Sequence, residues 1–272
     1  MDFLFREDSP ISAELWAQID KEVTSMAKKV LVGRRFLHLY GPLGAGVQSI
    51  NIDDLSQLEE REGSIATIKG RKFLQLPLLN QDFSLLWRDL EHSKKTGMPV
   101  DLSSALQASA AIARKEDDLI FNGNKELGYE GLLTAEGTTK LPLSNWEEGE
   151  NPVKDITSGI SKLLEKQLVG KYALVITTDL LVKLQRIQPG TGVTEYERLS
   201  KLVGGNIYHT TVMGTNKAVL VCPEPQNMDL AVGQDMLTSY LEDKDLNHYF
   251  RIIETILLRI KNKNAIVVYE WT

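Results

Sequence analysis

Residues with reactive side chains are few in this sequence, and their spacing fits no common catalytic or metal-binding pattern. The four histidines lie far apart, and no pair has the spacing of a metal site on one helix: His38, His92, His209 and His248. Each also lacks an obvious carboxylate or thiolate neighbour, which favours structural or surface roles. Cys222 follows an apolar run and is expected to be a buried small side chain rather than a nucleophile.

Acidic residues form three clusters, at 116–118, 147–150 and 242–245. A general acid–base pair is one interpretation of such clusters, and a solvated charged surface is the other. Runs of like charge are much more often solvated, so we expect these residues to face water.

The remaining candidates are a glycine-rich turn and a tryptophan. The turn "GPLGAG" at 41–46 lacks the order of a dinucleotide fingerprint and the Lys-Ser/Thr ending of a phosphate loop. No G-x-S-x-G motif is present, so serine hydrolase chemistry has no support. Trp87, next to Arg88, could stack on a flat ligand or pack in the core, and the two alternatives have equal weight. The sequence therefore predicts a protein that is not an enzyme.

Composition excludes several further classes of protein. The chain has 272 residues, a formal charge of −6 and one cysteine, which excludes an internal disulfide framework and a zinc site of several thiolates. The net negative charge argues against nucleic acid as a partner. The segment "MDFLFREDSP" lacks the basic end and apolar run of a signal peptide, and no stretch approaches the ~20 apolar residues of a membrane span. We expect a cytoplasmic globular protein that does not bind a membrane.

Two long helices are predicted. Residues 12–32 carry apolar side chains at three- and four-residue spacing, with Ser12 as the cap and Gly33 as the stop. Residues 101–122 contain the alanine-rich run "ALQASAAIA", which favours a closely packed helix about 30 Å long.

Residues 47–52 and 64–80 read as two extended segments around a polar, acidic tip. Folded back on itself, the segment 47–73 would reach ~40 Å at about 3.3 Å per residue. A compact chain of this length has a radius of gyration of only ~18 Å. An isolated two-stranded arm is marginal in water, so a neighbouring copy or the chain itself must cover it.

From residue 131 the chain alternates between short helices and strands. The expected class is α+β, with the carboxy-terminal strands returning to the first domain.

Three stretches together resemble the type 1 encapsulin shell proteins, also called the linocin or culture-filtrate antigen family. They are "SPISAELWAQIDKEV…LVGRRFLHLYGPLGAG", "PVDLSSA…ARKEDDLIFNGNKELGYEGLL" and "MDLAVGQDMLTSYLE" with "NHYFRIIETILLRIKNKNAI". Their order and spacing fit that family over essentially the whole length.

The resemblance implies the α+β major-capsid fold of tailed bacteriophages, with a peripheral domain, an axial domain and an extended loop. The implied division is the start of the peripheral domain (1–46), the extended loop (47–76), the peripheral domain with its spine helix (77–130), the axial domain (131–228) and a return to the peripheral domain (229–272).

The resemblance further implies a non-catalytic, icosahedral cage of identical chains. The cage encloses a cargo protein that carries a carboxy-terminal targeting peptide. Iron storage and protection from oxidative stress, with a ferritin-like or iron-mineralising cargo, is the favoured theme, and a dye-decolorising peroxidase is second. The alternatives are a phage major capsid protein and, with less support, a soluble protease or bacteriocin-like enzyme.

By the same resemblance, a cargo groove lies between the amino-terminal helix and the peripheral strands. Its residues would be Met26, Val30, Arg34, Phe36, Asp235 and Tyr240. The apolar members would accept a leucine or isoleucine of the peptide, Asp235 would pair with its basic residues, and Arg34 would bond its backbone. The equally weighted alternative is that the apolar members are ordinary core residues.

Two further sites are implied. The segment "QPGTGVTE" would form the rim of a pore that passes hydrated ions. Its residues are Gln188, Pro189, Gly190, Thr191, Gly192, Val193, Thr194 and Glu195. Trp87 resembles a shell tryptophan on which some family members bind flavin, so flavin is an optional cofactor; none is required, and no metal site is expected.

Overall fold

Two five-stranded sheets organise the chain in the computed structural model, which describes residues 3–53, 59–62, 65–68, 71–188, 190 and 192–271. The helices are α1 (Ala13–Val30), α2 (Trp87–Thr96), α3 (Ser103–Phe121), α4 (Asn151–Glu165), α5 (Thr178–Leu184) and α6 (Glu195–Leu202). The strands of the first half are β1 (Leu39–Tyr40), β2 (Ser49–Asp53), β3 (Glu59–Glu62), β4 (Ile65–Ile68), β5 (Arg71–Gln75), β6 (Leu78–Leu85), β7 (Gly123–Asn124) and β8 (Tyr129–Glu130). Those of the second half are β9 (Thr139–Pro142), β10 (Ala173–Thr177), β11 (Ile207–Thr210), β12 (Lys217–Val221), β13 (Met228–Val232), β14 (Leu237–Lys244), β15 (Asn247–Ile260) and β16 (Ile266–Glu270).

The first sheet is built around the long strand β15. Its first part pairs with β14 and β6, its second part pairs with β13, and β1 completes the sheet beside β13. Helices α1 and α3 pack against this sheet through one apolar cluster, which includes Ile19, Ile112 and Phe250. The hydroxyl of Ser109 donates to the Val23 carbonyl over 2.6 Å, so a small polar residue joins the two helices directly.

Both predicted long helices are confirmed, with one difference at the end of the first. Ser12 caps α1 by accepting the Leu15 amide. The helix ends at Val30, and Gly33 begins a short 3-10 turn, Gly33–Arg35, instead of serving as the stop. A Cβ on Gly33 would lie 2.5 Å from Cδ1 of Ile120, so close packing on α3 explains the glycine.

The second sheet has the strand order β11-β10-β12-β16-β9. Its largest covering helix, α4, packs on it through a cluster that includes Ile156 and Leu163. Residues 229–272 contribute to both sheets: β14 and β15 lie in the first sheet, and β16 pairs with β12 and β9 in the second. The strand is buried along nearly its whole length, and the second sheet supplies a hydrogen-bonding partner on both of its edges.

The predicted arm contains a two-stranded ribbon. β2 pairs with β5 from Ser49↔Gln75 to Asp53↔Arg71, and β3 pairs with β4 farther out. The base of the ribbon packs on the first sheet through Ile50 and neighbouring apolar residues, while Phe73 is largely exposed. The rest of the predicted arm, at 54–58, 63–64 and 69–70, lies outside the described residues.

Candidate functional site

The carboxyl-terminal half of α1 presents two half-buried apolar side chains, Met26 and Val30, one helical turn apart. Four-residue spacing places them on the same side of the helix. The adjacent stripe, Ala27 and Leu31, is buried against Ala113 of α3. The buried stripe anchors the helix, and Met26 and Val30 remain partly open beside it.

Directly after α1, Arg34 lies within a cluster of carboxylates. Its Nε donates to Oε1 of Glu116 over 2.7 Å, and one terminal nitrogen donates to Oδ1 of Asp235 over 2.8 Å. The other terminal nitrogen donates to Oε1 of Glu254. We call these four residues the Arg34 cluster. Each of the three guanidinium nitrogens thus already bonds a carboxylate of the chain itself.

Burial differs sharply within the Arg34 cluster. The side chains of Glu116 and Glu254 are fully buried, Arg34 is 15% exposed and Asp235 is 57% exposed. Burial raises the pKa of Glu254 well above its ordinary value, the charge of Glu116 raises it further, and Arg34 opposes both. Burial alone would lower the pKa of Arg34, but the charge of Glu116 and the other carboxylates outweigh it and raise that pKa. Asp235 is therefore the open, acidic edge of the cluster.

Asp117 fixes the turn that carries Arg34. Its carboxylate accepts the backbone amides of Val32 and Gly33, each over 2.9 Å. Burial, partly offset by these two hydrogen bonds, raises the pKa of Asp117 to about 7.

The expectation that the 116–118 cluster faces water is wrong for two of its members. Glu116 and Asp117 are buried, because they fall on the same stripe of α3 as Ala113 and Ile120. Three- and four-residue spacing from the buried alanines is the signal that could have identified them. The other two acidic clusters, 147–150 and 242–245, are exposed as expected.

The structure brings only part of the predicted groove together. Arg34 and Asp235 are in contact. Met26 and Val30 lie in the last turns of α1, which ends four residues before Arg34. Phe36 instead packs against Phe121 and Tyr208, towards the second sheet.

Tyr240 lies at the other end of α1. It is buried against Phe250, and its hydroxyl is 3.1 Å from Nδ1 of His248. Phe36 and Tyr240 therefore belong to two separate core clusters, one at each end of the helix.

Trp87 opens α2 and is 38% exposed. It lines an open groove of about 1050 Å³ between α1, α2 and the β14–β15 turn, together with Ile11, Leu15, Leu90 and Met98. The Arg88 guanidinium lies 5.6 Å from the centre of a Trp87 ring. A flat ligand could therefore meet an aromatic surface here, with a cation alongside it.

The predicted pore segment is described at 188, 190 and 192–195. The Gln188 amide donates to the Val193 carbonyl over 3.0 Å, and Thr194 caps α6 in a capping box with Glu197. The side chain of Glu195 is fully buried and forms ion pairs with Arg186 and Arg198. Pro189 and Thr191 lie outside the described residues.

No group of three or more His, Cys, Asp or Glu side chains among the described residues is arranged to hold a metal ion. Within the same residues, no helix is long and apolar enough to cross a membrane.

Comparison with solved structures defines the fold. The chain superposes on a virus-like particle protein from Pyrococcus furiosus with a TM-score of 0.75 and 24% identity, covering 95% of this chain and all of that one. It also superposes on the capsid protein of Myoviridae phage XM1 with a TM-score of 0.63 and 14% identity, covering 88% and 90%. The fold is thus the α+β major-capsid fold of tailed phages, as predicted.

Comparison with known sequences defines the family. The model of Linocin_M18, described as an encapsulating protein for peroxidase, matches residues 1–257. The type 1 encapsulin shell protein EncA of Myxococcus xanthus is 39% identical over 99% of this chain and 96% of its own length. A diheme-cytochrome–encapsulin shell fusion protein of Kuenenia stuttgartiensis is 38% identical (96% of this chain, 74% of its own), and a ferritin-like–encapsulin shell fusion protein of P. furiosus 27% (77% and 56%). The chain therefore belongs to the Linocin_M18 family of encapsulin shell proteins, structural proteins that assemble into capsid-like cages.

Proposed function

We propose that this shell is an icosahedral cytoplasmic compartment that encloses a cargo protein, and that it captures the carboxy-terminal targeting peptide of that cargo beside α1. The observation that carries the proposal is the pair Met26 and Val30, half-exposed on α1, together with Arg34 four residues farther on, which holds the exposed Asp235 at 2.8 Å. An apolar strip next to a carboxylate fits a short peptide that combines aliphatic and basic residues.

The Arg34 cluster changes the role that we assign to Arg34. The guanidinium is already bonded by three carboxylates, so its function at the groove is to hold Asp235 in place rather than to bind the peptide backbone. Asp235 is then the residue that pairs with the peptide.

For the cargo we propose an iron-storing, ferritin-like or iron-mineralising protein, with a peroxidase as second choice. The support comes from relatives in which a shell is fused to a ferritin-like or a diheme-cytochrome module. The description of the family as encapsulating proteins for peroxidase supports the second choice.

The test compares two substitutions on the same helix. Val30→Asn places a polar group on the proposed strip, and Lys28→Asn places the same group on the exposed side of α1. Proteins that co-purify with wild-type shells are identified by mass spectrometry, and the last residues of the main one are fused to a fluorescent protein. We expect closed particles from both variants, with loading reduced several-fold only by Val30→Asn and by Asp235→Ala. Equal loading in all variants would contradict the groove.

The same fold occurs in phage capsid proteins, so the contents of the particle are a second test. Shells purified from cells in which the chain is naturally made are expected to contain protein. Packaged DNA would instead favour a phage major capsid protein.

A further inference from the structure

Two glutamates beneath Arg34 present more negative charge than one guanidinium neutralises. Glu116 of α3 and Glu254 of β15 are fully buried, and each bonds Arg34 through a single oxygen. The second oxygen, Oε2, of each has no hydrogen-bond partner among the described residues. We call Glu116 and Glu254 the buried pair. If both were ionised, two carboxylate oxygens and one negative charge would be left uncompensated away from water, which is strongly unfavourable.

Among the residues that the structure describes, no other group facing the buried pair supplies the missing positive charge. Two further charged groups near the buried pair are themselves acids: Asp117, which follows Glu116 on α3, and Asp235, in the segment before β14. The 3-10 turn carries two arginines. The charge of Arg34 is already included in this balance, and the guanidinium of Arg35 donates to the Lys29 carbonyl. A proton is the simplest species that balances the charge.

We propose that Glu116 and Glu254 hold one proton between them, and that its loss as the pH rises loosens the contact of the Arg34 turn with α3 and β15. The protonated carboxyl donates its O–H to the other carboxylate, so that the unpartnered oxygens bond each other. One negative charge then faces one guanidinium. Two like charges in one site cannot both ionise easily, and the pair titrates as a unit.

Two further properties of the pair agree with this arrangement. Glu254 lies within side-chain hydrogen-bonding reach of Glu116. Burial, followed by the charge of Glu116, raises the pKa of Glu254 well above its ordinary value, which is the direction that proton binding requires.

The sign of the pH dependence follows from linkage. An acid whose pKa is raised by folding binds its proton more tightly in the folded state. Its contribution to stability is fully present below the pKa of the unfolded chain and is lost as the pH rises through the folded value. One linked proton changes the unfolding equilibrium constant about tenfold per pH unit.

Infrared spectroscopy of cargo-free, closed shells of the full chain tests the proposal directly. The spectra are taken at about pH 8, where Asp117, with its pKa raised to about 7, is mostly ionised. We expect a carboxylic-acid C=O band in the wild type that is absent from both Glu254→Gln and Glu116→Gln. The matched control is Glu165→Gln, at an exposed glutamate paired with Lys162, which should keep the band.

Thermal unfolding of the same shells supplies the second measurement. Above about pH 8, where Asp117 is mostly ionised, the midpoint should fall with rising pH in the wild type and in Glu165→Gln, and should be nearly flat in Glu254→Gln. A wild-type spectrum without an acid band would overturn the proposal, even if the glutamine variants fail to fold. A band that survives in both variants would place the proton elsewhere and overturn it too. Because the shells carry no cargo, neither result depends on the cargo groove.

Discussion

Replacing Arg34 by alanine should destabilise the shell far more than removing an ordinary surface arginine. The substitution leaves Glu116 and Glu254, both with fully buried side chains, without their only cationic partner among the described residues. Removing one partner of a buried ion pair costs about 3–5 kcal/mol, because the remaining charge is neither solvated nor compensated. For a chain of this size 1 kcal/mol corresponds to ~2–4 °C in melting temperature, so a loss of roughly 6–20 °C is expected near neutral pH.

The matched control is Arg251→Ala. Arg251 also forms a close ion pair, 2.6 Å from Asp82, but the two side chains are 40% and 47% exposed. Exposed pairs contribute about 0–1 kcal/mol, so this variant should lose no more than ~4 °C.

The assay is scanning calorimetry or fluorescence of assembled shells at matched concentration and scan rate, at two pH values. The deficit of Arg34→Ala should shrink at about pH 5, where the two glutamates can take up protons. The triple variant Arg34→Met/Glu116→Gln/Glu254→Gln should recover much of the loss, since it removes the buried charges together. Similar shifts for Arg34→Ala and Arg251→Ala would refute the reasoning.

Three further outcomes are expected. Deleting residues 53–63 of the arm, a segment that includes residues outside the described ranges, should leave folded protein but few closed particles by electron microscopy, because an isolated two-stranded arm is marginal in water and is expected to pair with neighbouring copies. Normal shells would count against this prediction. Trp87→Ala should remove any yellow flavin absorbance that purified shells show, and colour that persists would place the ligand elsewhere. Asp117→Asn should weaken the loss of stability as the pH rises through about 7, since burial raises the pKa of Asp117 to that value and the folded chain then holds the proton more tightly; an unchanged pH profile would speak against a buried, titrating Asp117.

Much of the fold could be predicted because its signals are local. The apolar spacing in α1 and the alanine-rich run of α3 define two helices through contacts three and four residues apart. The excess reach of 47–73 predicted an arm, and β2 pairs with β5 there. The lack of any catalytic pattern, together with the resemblance to encapsulin shells, indicated a structural role. The domain limits and the site residues stay predictions.

The site itself depended on tertiary structure. Arg34 meets Glu116, Asp235 and Glu254 across separations of 82, 201 and 220 positions, and no local pattern encodes those meetings. Likewise, β16 pairs in the second sheet because strand pairing is decided by long-range register and burial, not by order in the chain. The sequence alone thus determined the two long helices and the arm. Only the packed structure decided which charges are taken out of water together, because the energy of a buried charge depends on neighbours that folding brings from distant parts of the chain.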